Sequence, residues 1–246
     1  MFGFTTLLLL PLIVSAAKNP KRGIAYPVES GAPLNLAGGA NSVISWEYDW
    51  AINPPSGLPS GIQHVPMQWD EQNIAGLADK IGNAKFLLGF NEPERPEQAN
   101  ISPGDAARLW KDNIQKLSPG VKLGAPAVAA GPAGQQWLDQ FFAACSGCTF
   151  DFLPIHWYGE GAENFNGYVR EMRDKYKKPI WVTEFAPTGG DVTAFMKDTL
   201  SFLDNESSVE RYAWFAYTAT PASGLKSGLL DGNNLNALGK FYVNNA

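Results

Sequence analysis

Eight short apolar segments recur along this chain, each the length of a β-strand: residues 23–28, 42–46, 64–69, 85–91, 122–127, 152–158, 179–185 and 211–217. Most are near-continuous apolar runs rather than polar–apolar alternations. That is the pattern of parallel strands covered on both faces. Between several of them the period changes to that of a helix. In residues 164–177, Phe165, Tyr168, Val169, Met172 and Tyr176 fall on one helical face. Ser102-Pro103-Gly104-Asp105 reads as a capping box with proline at the first helical position, opening a helix through Leu109, Trp110 and Ile114. Residues 135–144 and 192–203 read in the same way. Strand–helix alternation of this kind predicts an α/β fold, a single compact (β/α)8 TIM barrel. The 13 residues between Trp50 and His64 carry Pro54, Pro55 and Pro59, so the helix between strands 2 and 3 is expected to be missing or degenerate. Pro66, Pro126 and Pro154 fall inside predicted strands, where only strand ends or bulges tolerate them.

Residues 1–17 do not join this pattern. The run from Met1 to Val14 is almost wholly apolar, with Leu7 to Leu10 at its centre, followed by Ser15, Ala16 and Ala17. It reads as a secretory signal peptide, too short for a membrane span, which leaves residues 18–246 as the barrel of a secreted, soluble protein. A composition 45% hydrophobic and 17% charged is that of a folded chain. The formal net charge of −5 disfavours nucleic acid and anionic membrane as partners. A neutral polymer fits better, and the eight Trp, eight Tyr and fourteen Phe offer faces on which sugar rings stack. Cys145 and Cys148 form a lone C-x-x-C, which in an exported chain reads first as a small structural disulfide. Asn100 and Asn205 head candidate glycosylation sequons. A monomer is expected.

A barrel gathers its functional groups at the C-terminal ends of its strands. Strand 4 runs out into Leu88-Gly89-Phe90-Asn91-Glu92-Pro93-Glu94, and strand 7 into Trp181-Val182-Thr183-Glu184-Phe185. Either glutamate alone reads equally well as a strand ending at the solvated rim. Two of them, each directly after an apolar run, suggest use, because a charge in that position is costly to keep. Glycoside hydrolysis needs such a pair: one carboxyl to protonate the leaving oxygen, the other to attack the anomeric carbon, about 5 Å apart in retaining enzymes.

The ordered set Arg22-Gly23-Ile24-Ala25-Tyr26, Trp46-Glu47-Tyr48-Asp49-Trp50, Val65-Pro66-Met67-Gln68-Trp69, Gly89-Phe90-Asn91-Glu92-Pro93-Glu94, Gly124-Ala125-Pro126-Ala127, His156-Trp157-Tyr158 and Thr183-Glu184-Phe185 resembles the catalytic core of glycoside hydrolase family 128. The fungal endo-β-1,3-glucanases of that family are the nearest likeness. The resemblance implies a retaining enzyme with Glu92 as general acid/base and Glu184 as nucleophile, a β-glucan as substrate, and no cofactor or metal. The apolar flank of Glu92 (Phe90 and Pro93) is expected to raise its pKa. Asn91 is expected to bond a sugar hydroxyl, Tyr158 to orient Glu184, and His156 to bond either substrate or Glu92. Trp46, Trp69 and Trp214, read as the ends of strands 2, 3 and 8, are candidate sugar platforms. Gln68 alternates with Trp69, so one of the two is expected in the cleft. His64 is expected to be structural, and Glu47 and Glu94 to be additional acids near the rim. Exo-action, another β-glucan linkage, or a non-catalytic glucan-binding cell-wall protein on the same barrel are the alternative readings.

Overall fold

The computed structural model describes residues 16–245; residues 1–15 of the expected signal peptide lie outside the described residues. Eight parallel strands form the wall: β1 Arg22–Ala25, β2 Trp46–Tyr48, β3 Gln63–His64, β4 Phe86–Leu87, β5 Lys122–Leu123, β6 Leu153–Gly159, β7 Ile180–Pro187 and β8 Val209–Trp214. One sheet runs β3-β2-β1-β8-β7-β6, and β4 pairs with β5. Single parallel bridges join the two pieces, Met67 to Leu88 on one side and Gly124 to Phe152 on the other, so the ring closes in chain order. This is the expected (β/α)8 barrel.

The prolines account for the short ladders. Pro66 and Pro126 have no N–H to donate, and β3 and β5 stop before them, whereas Pro154 is only the second residue of β6. The outer helices follow their sequence signals. In α2 (Pro103–Asp112) the Ser102 hydroxyl accepts from the Asp105 backbone N–H. Next come α3 (Pro132–Ala144), α4 (Ala162–Tyr176) and α5 (Val192–Asn205), the last capped by Asp191. Helix α4 buries Phe165, Tyr168, Val169 and Met172, the face its periodicity marks. The connection from β2 to β3 contains no helix, as expected. The β1–β2 connection departs from expectation, since it holds only two single 3-10 turns. A one-turn α1 (Leu77–Lys80) follows β3, and after β8 a β9–β10 hairpin (Leu230–Asp231, Asn234–Leu235) leads into α6 (Ala237–Asn244). The helical coat is therefore thin over the first third of the barrel. Cys145 and Cys148 are bridged just past the end of α3.

Inside the barrel, Trp46, Tyr48, Val65, Met67, Leu88, Phe152 and Trp181 are fully or almost fully buried together. Trp181 stacks on Phe152 at 4.0 Å and lies 5.5 Å from Trp46. Gly23 is required here: a Cβ would sit 2.2 Å from the Trp46 ring. The Arg211 guanidinium caps this floor, 4.5 Å from the Phe86 ring centre and 4.6 Å from that of Trp181, and donates to Gln63. Burial pushes its pKa down to about 10, partly offset by Glu210. A desolvated cation over aromatic faces contributes about 2 kcal/mol. Arg211→Ala is therefore expected to lower the melting temperature by about 4–8 °C in thermal denaturation. Arg211→Lys should recover only part of the loss, because an ammonium does not stack as a plane.

Candidate active site

The C-terminal ends of the strands open into a cavity of about 850 Å³, lined by residues that follow β1, β2, β3, β4, β7 and β8 and by Tyr158 and Glu184 within β6 and β7. Glu92 and Glu184 both line it, and both are buried. Glu92 follows the continuation of β4, where Asn91 bridges Ala127 and the Glu92 N–H donates to the Ala127 carbonyl at 2.7 Å. Its φ of +41° lies in the left-handed region, which a side chain enters only at a cost of about 1–3 kcal/mol. The turn swings the carboxyl off the strand direction and into the cavity.

Glu184 is aimed by a different device. The pairing of β6 with β7 slips between Ile155 and His156: Ile155 faces Val182, but His156 faces Glu184. Thr183 is thus a bulge residue. Trp181 points into the barrel and Val182 into the outer core, so strict alternation would turn Thr183 inward and Glu184 outward. The bulge reverses the phase and presents Glu184 to the mouth. Its carboxylate accepts from Tyr158 Oη at 2.6 Å, Trp50 Nε1 at 2.8 Å and Tyr48 Oη at 3.3 Å.

His156 lies between the two carboxylates and is fully buried. Its Nδ1 is 2.9 Å from Glu92 Oε1, and its Nε2 is 3.5 Å from Glu184 Oε1. One oxygen of each glutamate and one nitrogen of His156 lie within 4.8 Å of one another. Burial alone would raise the Glu92 carboxyl. The hydrogen bond and charge of His156 oppose this, as does Arg95 at 3.6 Å, and together they hold it below the usual carboxylate range. The direction expected from its apolar flank is therefore reversed. For His156, burial lowers the pKa, but the negative field of Glu184 and Glu92 outweighs burial and raises it.

Asn91 lines the cavity; its Nδ2 donates to Gln98, and its Oδ1 is buried without a partner among the described residues. Tyr158 and Trp69 also line it. Four expected contacts do not reach it. Trp46 begins β2 instead of ending it, packs in the barrel floor and donates to the Lys21 carbonyl. Trp214 ends β8 but faces the outer core, against Phe185 and Phe195, and donates to the Ser227 carbonyl. Gln68 is turned away from the carboxylates, and its Nε2 holds the Asp70 and Gln72 carbonyls of the next loop. His156 touches Glu92 and does not line the cavity.

The aromatic walls are Trp50 and Phe215, which lie four residues beyond Trp46 and one beyond Trp214 respectively. Phe215 meets both Trp50 and Tyr158 edge to face. The signal for Trp50 was present: Trp46, Tyr48 and Trp50 share one face of an extended run. Glu47 is not at the rim but buried in the wall beside His64, and Glu94 ties down the Ala129 N–H. The two histidines, scattered in the sequence, thus each meet carboxylates in the fold.

A family model described as Glycosyl hydrolase catalytic core matches residues 23–242. The chain belongs to that family. Its solved neighbours are GH128 β-1,3-glucanases. An endo-β-1,3-glucanase of subgroup II from Sorangium cellulosum is 36% identical, with 90% of this chain and 97% of that one covered at a TM-score of 0.78. A curdlan-specific exo-β-1,3-glucanase of subgroup III from Blastomyces gilchristii, in complex with glucose, is 34% identical, with 91% and 99% covered at 0.77. A subgroup I endo-β-1,3-glucanase variant from Amycolatopsis mediterranei holds laminaripentaose; it is 33% identical, with 91% and 98% covered at 0.75. Alkali-sensitive linkage protein 1 of Schizosaccharomyces pombe is 35% identical over 91% of this chain, which spans only 44% of that protein's length.

Proposed function

We propose that this family member is a secreted, monomeric, retaining endo-β-1,3-glucanase that acts on wall glucan through Glu92 and Glu184. The observation that carries the reading is the proximity of the two carboxylates, with an oxygen of each within 4.8 Å. Double displacement requires about 5–5.5 Å, whereas an inverting pair stands about 6.5–9.5 Å apart to admit water. Glu92 protonates the glycosidic oxygen as Glu184 attacks the anomeric carbon; the leaving chain departs and a glycosyl–Glu184 ester forms. Glu92, now a carboxylate, takes a proton from water, which cleaves the ester with the original anomeric configuration. His156 Nδ1 lies one hydrogen bond from Glu92, and the two glutamates raise the His156 pKa. Tyr158, Tyr48 and Trp50 hold the attacking carboxylate in one orientation.

Internal cleavage is supported by a cavity that extends from Trp69, Arg95 and Gln98 after β3 and β4 to Pro27, Ser30, Thr220 and Leu225 after the neighbouring strands β1 and β8, leaving sugar-binding surface to either side of the pair. The 34%-identical exo-acting relative favours the opposite reading, cleavage from chain ends. Export is supported by the apolar leader and by the Cys145–Cys148 bridge. Proton NMR of laminarin during the first turnover tests the mechanism, with the β-anomer expected first. An α-anomer appearing first removes the retaining reading. A ladder of oligosaccharides from laminarin supports endo-action, and glucose released alone from the start supports exo-action.

A further inference from the structure

The second histidine has a geometry that a merely structural role leaves unexplained. Glu47 of β2 and His64 of β3 are register partners on adjacent strands, with His64 Nδ1 3.0 Å from Glu47 Oε2. The other nitrogen, Nε2, is 3.2 Å from the backbone carbonyl of Ile52. The Ile52 carbonyl accepts, and so does Glu47 when ionised; the ring then bonds both only when both nitrogens carry protons. Glu47 is fully buried. The charged groups that face His64 are Glu47 and, from the loop after β2, Asp49; among the described residues neither has a lysine or arginine ion-pair partner.

Ile52 lies in the helix-free β2–β3 connection, two residues after Trp50. That segment makes a tight turn. The Asp49 carboxylate accepts from the Ala51 N–H, Trp50 has φ +56°, and the Ala51 carbonyl accepts from the Met67 N–H. Trp50 then reaches over the cavity and donates from Nε1 to Glu184. We infer that His64 is a positioning residue for the site: as an imidazolium held by Glu47, it fixes the Ile52 carbonyl and thereby the turn that presents Trp50 to Glu184. A neutral His64 keeps one N–H. The buried carboxylate is the stronger acceptor, so Nε2 is left with a lone pair against the Ile52 carbonyl, and the turn is freed.

The sign follows from the surroundings. Burial lowers the His64 pKa, but Glu47, Asp49 and the Ile52 carbonyl outweigh it and raise it above the ordinary value. Burial also raises Glu47. The clamp is lost as pH rises through the raised His64 value, and at the acid end it weakens as Glu47, itself raised, protonates.

The chain has two histidines, so a proton NMR titration of the whole protein resolves both rings, and His64→Gln assigns them. Trp50→Phe assigns the Trp50 indole N–H. The expected result is a Trp50 indole signal that moves with the midpoint of His64. An indole signal indifferent to that titration, or a His64 that is neutral across the range, overturns the inference. The kinetic arm rests on the retaining reading. His64→Gln and Trp50→Phe should each lower kcat about 10- to 100-fold with little change in KM, and the double variant should be no worse than Trp50→Phe. Losses that multiply overturn the coupling. If the wild type leaves β-1,3-glucan intact, the proposed function fails while the titration still decides the clamp. The titration uses the wild type, so a His64→Gln chain that does not fold leaves the Trp50 signal as the deciding measurement.

Discussion

Glu184→Ala is expected to lower kcat on laminarin by about 10⁴-fold or more while laminari-oligosaccharides still bind. The nucleophile is the one group whose loss removes a covalent bond from the reaction path. The remaining wall (Trp50, Trp69, Tyr158 and Phe215) is untouched, so binding measured by calorimetry should survive. Azide provides the sharper test. In the space left by the carboxylate it attacks from the same face as Glu184 did, in a single displacement, and Glu92 is still present to protonate the leaving oxygen. With an activated β-glucosyl donor the product should be the α-azide. A β-azide, or no rescue together with unimpaired hydrolysis, would place the nucleophile elsewhere. The substitution also takes away the acceptor of three hydrogen bonds, from Tyr158, Trp50 and Tyr48. Tyr48 retains the Thr183 carbonyl as a partner. The thermal midpoint should therefore move by far less than activity does.

The parts of this protein that the sequence disclosed are those written in local terms. A parallel strand covered on both faces leaves a continuous apolar run, and eight of these made the barrel legible. A carboxylate directly after such a run stands out, and Glu92 and Glu184 did. What stayed hidden depends on phase and on distant neighbours. The frame of β2 begins at Trp46, four residues later than the apolar run at Ser42 suggests, so the aromatic at the mouth is Trp50. At β8 the parity of the last residue decides whether Trp214 or Phe215 sees the cavity, and an apolar run carries no parity signal. The Thr183 bulge, which turns Glu184 inward, follows from a register slip against β6 that no single strand encodes. The direction of the Glu92 pKa is hidden from the sequence for the same reason. Its apolar sequence neighbours argue for a raised pKa, but the groups that set it are His156, 64 residues away, and Arg95 one turn on.

That correction gives the Glu92 substitution two separate signatures. Glu92→Gln removes the proton donor, and general acid–base catalysis contributes about 10²–10⁴-fold, so hydrolysis of laminarin should fall by that amount. The loss should depend on the leaving group. A dinitrophenyl β-glucoside departs without protonation, so its first step should proceed nearly at the wild-type rate. The second step then lacks its base, and a burst of phenolate followed by slow turnover is expected, with the sugar held on Glu184. Azide should release it as the β-azide, because attack now falls on the ester from the opposite face. His156 cannot substitute as the donor: it is fully buried and its free nitrogen faces Glu184. The second signature needs no substrate. Part of what raises His156 is the hydrogen bond and charge of Glu92, so in the variant His156 should titrate at lower pH than in the wild type, while Glu184 still holds it up in part. For the same reason the stability that this contact gives the wild type is full between the ordinary carboxylate and imidazole ranges, fades as pH rises through the raised His156 value, and is lost at the acid end as Glu92 protonates. A His156 resonance unmoved by Glu92→Gln would show that Glu92 does not set the His156 pKa, and equal losses on laminarin and the dinitrophenyl glucoside would show that Glu92 does not deliver the proton.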